Sequence, residues 1–143
     1  FNSILVVCTG NICRSPIGER YLRSLLPNKK IDSAGTSALV DHAADESAIL
    51  VASSHGISLD GHVAKQFTSS LGRQYDLILV MEKYHIEQIG RIAPEARGKT
   101  MLFGHWLNQR DIPDPYRKSN EAFLSVYKLI EQAGGLWAQK LGA

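Results

Sequence analysis

The stretch that most restricts this chain is Ile4-Leu5-Val6-Val7-Cys8-Thr9-Gly10-Asn11-Ile12-Cys13-Arg14-Ser15-Pro16, close to its start. The aliphatic run Ile4 to Val7 reads as a buried strand, spanning residues 3 to 8. Gly10 and Asn11 are residue types that accept left-handed backbone, which a tight concave loop needs. A helix opens near Ser15 or Pro16, where proline is well tolerated. The order is strand, tight loop, helix. Successive N–H groups of such a loop can point inward, and a helix N-terminus can close the ring. That arrangement cradles a tetrahedral dianion.

The rest of the chain repeats the alternation. Ile17, Tyr21, Leu22, Leu25 and Leu26 form an apolar stripe at near-helical spacing, stopped by Pro27. Residues 30 to 35 read as a second strand. Asp45 caps a helix through about Ser54, with Gly56 as its stop. Thr68 caps a short helical turn to Arg73. Residues 76 to 81 are the clearest buried strand, followed by a helix with Ile86, Ile89 and Ala93 inward and closed by Pro94. Residues 99 to 103 make a last short strand, and residues 105 to 115 a loop. Ser119 caps a terminal helix with Phe123, Val126, Tyr127, Ile130 and Trp137 on one face. Gly134-Gly135 is its weak point, at about 1 kcal/mol per glycine relative to alanine, and a break is expected there. Strands alternating with helices predict an α/β fold with a mostly parallel sheet covered on both faces. Ligands in such folds sit at the carboxyl ends of the strands, where Cys8 lies.

Composition excludes several alternatives. A chain of 143 residues suits one domain, residues 1–143, with a proper core. Net charge of +2 with scattered Lys and Arg does not suit a nucleic-acid binder. No apolar run approaches the roughly 18 residues of a membrane helix. The start lacks a basic n-region and runs straight into a strand, so no signal peptide is expected and the reading is cytoplasmic. The two cysteines, Cys8 and Cys13, share one loop and would close too small a ring for a structural staple. Paired histidines that would make a zinc site with them are absent from the pattern, and no metal is expected.

The chemistry follows from these residue types. Cys8 sits where the N–H groups and the helix end converge, a setting that gives cysteine pKa values of roughly 3.5–7.5. The backbone of Thr9, Gly10, Asn11, Ile12, Cys13 and Arg14 supplies the phosphate cradle. Arg14 offers a planar fork for two phosphate oxygens. Ser15 can donate to the sulfur. A thiolate under a bound phosphate is set for in-line displacement, giving a cysteinyl-phosphate that water hydrolyses. The leaving group needs a proton, and Asp114, fixed between Pro113 and Pro115, is the candidate acid. Beside a bound dianion its pKa should rise. Tyr116 can flank an aromatic leaving group. His55, His62, His85 and His105 have no evident partner and read as structural or solvated.

At these positions the chain resembles the low-molecular-weight protein-tyrosine phosphatases. The match runs through residues 7 to 16, Ser33-Ala34-Gly35-Thr36 and Asp114-Pro115-Tyr116, in order and separation. Val80-Met81-Glu82-Lys83, residues 98 to 104 and residues 113 to 118 resemble the bacterial branch encoded with exopolysaccharide or capsule machinery. The resemblance implies a three-layer fold, with a four-stranded parallel twisted sheet, helices on both faces and the phosphate loop after the first strand. It implies no metal or organic cofactor, and as partner a phosphotyrosine protein such as a bacterial tyrosine autokinase. It makes Cys8 the nucleophile, Arg14 the phosphate clamp, Asp114 the acid, Ser15 the support of the thiolate and Asn11 the keeper of the loop's shape. Cys13 matches a second loop cysteine that can form a disulfide with Cys8 on oxidation. Packing and redox roles both stay open for it. Eukaryotic members often carry aromatics where Leu39 and Arg117 stand, so the wall formed by Leu39 and Tyr116 is expected to be less aromatic.

Two other classes compete. An arsenate reductase shares a similar loop but needs further cysteines downstream, and none follows Cys13. A non-catalytic phosphate-binding module would need neither Cys8 nor Asp114.

Overall fold

The computed structural model describes residues 1–142. Four strands, β1 (Ser3–Cys8), β2 (Lys30–Gly35), β3 (Leu77–Val80) and β4 (Thr100–Leu102), form one parallel sheet in the order β2-β1-β3-β4. Five helices connect and cover them. They are α1 (Arg14–Leu25), α2 (Glu46–Ser54), the one-turn α3 (Ser69–Gly72), α4 (Lys83–Ile92) and α5 (Asn120–Lys140). A 3-10 turn over Pro94–Lys99 joins α4 to β4.

Central strand β1 explains why both faces are covered. Ile4, Val6 and Cys8 point into a core shared with α1, α2 and α5. Leu5 and Val7 point the other way, into a core with Ile89, Ala93 and Phe67. Every residue from Ile4 to Cys8 is buried. A strand buried on both faces must be apolar throughout, as this one is.

Three helix starts follow the capping residues read from the sequence. Asp45 accepts from the N–H groups of Ser47 and Ala48, Thr68 from Leu71, and Ser119 from Ala122. Each cap satisfies donors that the first turn leaves unpaired.

One expectation fails. The terminal helix does not break at Gly134-Gly135 but runs unbroken over Asn120–Lys140. A Cβ at Gly134 would lie 2.9 Å from Tyr21 Cδ2 and 3.3 Å from Phe103 Cζ. Glycine there lets α5 press against α1, and the packing outweighs a propensity cost of about 1 kcal/mol.

Candidate active site

The loop between β1 and α1 is held from behind. Its carbonyls at Cys8, Thr9, Gly10 and Ile12 accept from the backbone N–H groups of Thr36, Ser37, Leu39 and Asp45, at 2.9 to 3.0 Å. The Asn11 carbonyl accepts from His62 Nε2 at 2.6 Å. Five successive carbonyls therefore face outward. Asn11 takes the left-handed conformation, with φ of 58°, that lets the loop curl. No backbone N–H from Thr9 to Arg14 donates to another described residue. Helix α1 also starts without a side-chain cap. A ring of unpaired donors at a helix N-terminus is an anion site.

Gly35 makes this contact possible. It pairs with Cys8 at the end of β2, and a Cβ there would fall 2.3 Å from the Thr9 carbonyl oxygen.

Above the ring lies a cavity of about 200 Å³. Cys8, Thr9, Gly10, Ile12, Cys13 and Arg14 form its floor, and Ser37, Leu39, Asp114 and Tyr116 its walls. The other two loop residues singled out in the sequence, Asn11 and Ser15, are fully buried beneath it. Cys8 Sγ lies 2.9 Å from Ser15 Oγ. Asn11 Nδ2 donates to Ser15 Oγ at 2.7 Å and to Ser33 Oγ at 3.0 Å. Both hydroxyl oxygens thus accept from the amide, which turns their own hydrogens outward. Ser33 donates to Glu19 at 2.8 Å, and Ser15 is left to donate to the Cys8 sulfur. Asn11 Oδ1 accepts from the Lys65 N–H, so the amide is satisfied at both ends.

Arg14 is 1% exposed and reaches across to the far side of the cavity. Its Nη1 pairs with Glu82 and donates to the Ile112 carbonyl at 2.8 Å. Its Nη2 lies 3.8 Å from Asp114 Oδ2. Burial opposes the guanidinium charge, but Cys8, the Glu82 hydrogen bond and Asp114 outweigh it and raise the pKa.

The two cysteines differ in setting. Burial above all, with Asp45, Cys8 and Asp114 nearby, pushes the Cys13 thiol well up from its ordinary value. Cys13, in the floor beside Cys8, is held as the thiol at ordinary pH.

Asp114 comes from the loop after β4. Its Oδ1 accepts from the Tyr116 N–H at 3.0 Å, a local turn that leaves Oδ2 toward the cavity and Arg14. The side chain is 48% exposed. The Arg117 guanidinium lies 5.3 Å from the centre of the Tyr116 ring, so a cation stands where an aromatic was noted as absent.

Three supporting residues escaped the sequence reading. Glu82, two residues past β3, anchors Arg14, and its place at a strand's carboxyl end was the available signal. His62 and His85 are buried against the loop. Their partners lie 51 and 76 residues away, beyond any local pattern. Among the described residues no group of three or more His, Cys, Asp or Glu is arranged to hold a metal ion.

Comparison with known proteins identifies the family. A sequence model of the family described as low molecular weight phosphotyrosine protein phosphatase matches residues 3–143. The low molecular weight protein-tyrosine-phosphatase Etp of Escherichia coli K12 is 61% identical over 141 residues, covering 99% of this chain and 95% of Etp. The crystal structure of tyrosine phosphatase Wzb from Escherichia coli K30 in complex with sulphate superposes with a TM-score of 0.98. It is 72% identical and covers 99% of each chain. Vibrio vulnificus Wzb in complex with benzylphosphonate gives a TM-score of 0.97 at 58% identity, over 98% of this chain and 99% of that one. With the match spanning nearly every residue, this chain belongs to the low molecular weight phosphotyrosine protein phosphatase family.

Proposed function

We propose that the chain, as one domain over residues 1–143, hydrolyses phosphotyrosine in proteins through a cysteinyl-phosphate on Cys8. The observation that carries this reading is the Cys8 sulfur, hydrogen-bonded by Ser15 within a ring of unpaired N–H groups beside Arg14.

The phosphoryl group sits in the ring and its tyrosine ring stands between Leu39 and Tyr116. Arg14 and the loop N–H groups hold the equatorial oxygens as charge redistributes. The Cys8 sulfur bonds to phosphorus while the phosphorus–phenolic oxygen bond breaks. Asp114 gives its proton to the departing oxygen. Water then attacks phosphorus, Asp114 takes a proton from it, and the sulfur–phosphorus bond breaks. Ser15 stabilises the thiolate that leaves. In both steps the same carboxyl group faces the oxygen that gains or loses the proton.

The physiological substrate in this proposal is a bacterial tyrosine autokinase, with its phosphoprotein targets, in exopolysaccharide or capsule regulation. Support comes from the branch resemblance at residues 80 to 83, 98 to 104 and 113 to 118. No helix among the described residues is long and apolar enough to cross a membrane. A reducing cytoplasm is the compartment that keeps the Cys8 thiol free.

Turnover of para-nitrophenyl phosphate and of a phosphotyrosine peptide tests the reaction. Wild type turns over both and Cys8→Ser neither, with phosphotyrosine proteins retained by the serine variant. Wild-type rates in Cys8→Ser would remove the nucleophile assignment.

A further inference from the structure

His85 has no part in the chemistry above, yet it touches both halves of the site. It is the third residue of α4 and is 0% exposed. Its Nδ1 accepts from the Glu82 backbone N–H at 3.1 Å. That bond occupies the Nδ1 lone pair, so the single ring hydrogen of the neutral form sits on Nε2. Nε2 lies 2.9 Å from Thr9 Oγ1 and donates to it. The Thr9 hydroxyl hydrogen is then free for the Tyr84 hydroxyl, 2.8 Å away. Thr9 adjoins Cys8 in the floor. Glu82 is the residue whose carboxylate holds Arg14.

We propose that His85 is a positioning residue that ties the phosphate loop to the anchor of Arg14, keeping the guanidinium aimed at the phosphoryl group. One ring thereby sets the distance between the nucleophile's loop and the clamp's anchor. The ring does this only when neutral, because protonation at Nδ1 would abolish the acceptor for the Glu82 N–H. The surroundings keep it so. Arg14 of α1 faces it as a cation, Asp111 and Asp114 of the loop after β4 offset part of that charge, and the Tyr84 ring lies 4.2 Å from it. Burial first and Arg14 second lower its pKa to about 4.

This inference rests on the proposed roles of Cys8 and Arg14. The experiment keeps the two apart, since Cys8→Ser tests the chemistry whatever His85 does. His85→Gln keeps a neutral acceptor and donor on one side chain, whereas His85→Ala removes both. Kinetics on para-nitrophenyl phosphate and inhibition by inorganic phosphate are measured well below each variant's Tm. His85→Ala is expected to lose about ten- to a hundredfold in kcat, equivalent to about 1.4–2.7 kcal/mol. It should also weaken phosphate inhibition, and His85→Gln should recover most of both. A folded His85→Ala with wild-type kcat and phosphate affinity would reduce His85 to a packing residue. So would a glutamine variant no better than alanine. If His85→Ala does not fold, Thr9→Val against Thr9→Ser asks the same question from the other end. The proposal requires the valine variant to fall as above and the serine variant, which keeps the hydroxyl, to recover part of that loss. Equal activity in the two would overturn it.

Discussion

The floor and the walls of the cavity are built in opposite ways. The floor is one short loop in which every carbonyl from Cys8 to Ile12 and every polar atom of the Asn11 side chain has a partner. The walls come from separate loops. Leu39 and Tyr116 are 39% and 36% exposed, and the Asp114 carboxylate is bound only at its edge. In the proposed reaction the floor binds what all phosphate monoesters share, so its shape must be fixed in advance. The walls meet the variable part of a substrate, and few of their contacts need to be rigid. The difference predicts that floor variants lose stability and rate together, whereas wall variants lose rate or selectivity with stability unchanged.

The largest effect should come from Cys8→Ser, with turnover of any phosphate monoester lost and the fold retained. Next is Asp114→Ala, which removes the proposed proton donor and should cost roughly a hundred- to ten-thousandfold in kcat. The loss should be smaller for para-nitrophenyl phosphate than for phenyl phosphate, whose leaving group needs the proton more. Its urea midpoint should stay near wild type, since an exposed side chain contributes within about 0.5 kcal/mol. Asn11→Ala tests the opposite case. It strands the Lys65 N–H and releases the Ser15 and Ser33 hydroxyls, at about 1–3 kcal/mol for each group left unsatisfied. Urea denaturation should show that loss alongside a slower reaction. An Asn11→Ala enzyme as stable as wild type would break the contrast between floor and wall.

Acid gives a gentler probe of the floor. The pKa of His85 is lowered to about 4, and that of His62 is also lowered, in both cases chiefly by burial. Unfolded histidines titrate near 6.5 (about that value in model peptides). Between about 6.5 and 4 the unfolded chain binds protons that the folded chain refuses, so stability falls as pH falls through that window. Urea unfolding at pH 7 and pH 4.5 should show the drop, and His85→Gln should make it shallower. The smallest effect is expected at Leu39→Ala, with kcat/KM on para-nitrophenyl phosphate within about threefold of wild type, the equivalent of about 0.65 kcal/mol.

What the sequence revealed and what it hid divide along similar lines. Strand β1, the turn into α1 and the caps Asp45, Thr68 and Ser119 are local signals, readable because their partners lie within a few residues. Cys8, Arg14 and Asp114 were singled out by chemical type, and the fold places them around one cavity. The supports were not legible. His62, Glu82 and His85 act through partners 51 to 76 residues distant, and only the sheet's order brings them together. Gly134 misled for a related reason. Helix propensity is local, whereas the need for a missing side chain is set by Tyr21, more than a hundred residues earlier.

The ring of unpaired N–H groups has one more consequence. A cradle whose shape is complete before any anion arrives does not distinguish an incoming ester from the inorganic phosphate the reaction leaves behind. Both meet the same donors and the same guanidinium. Inorganic phosphate is therefore expected to compete with an ester for the ring, and inhibition of para-nitrophenyl phosphate turnover by added phosphate measures that competition.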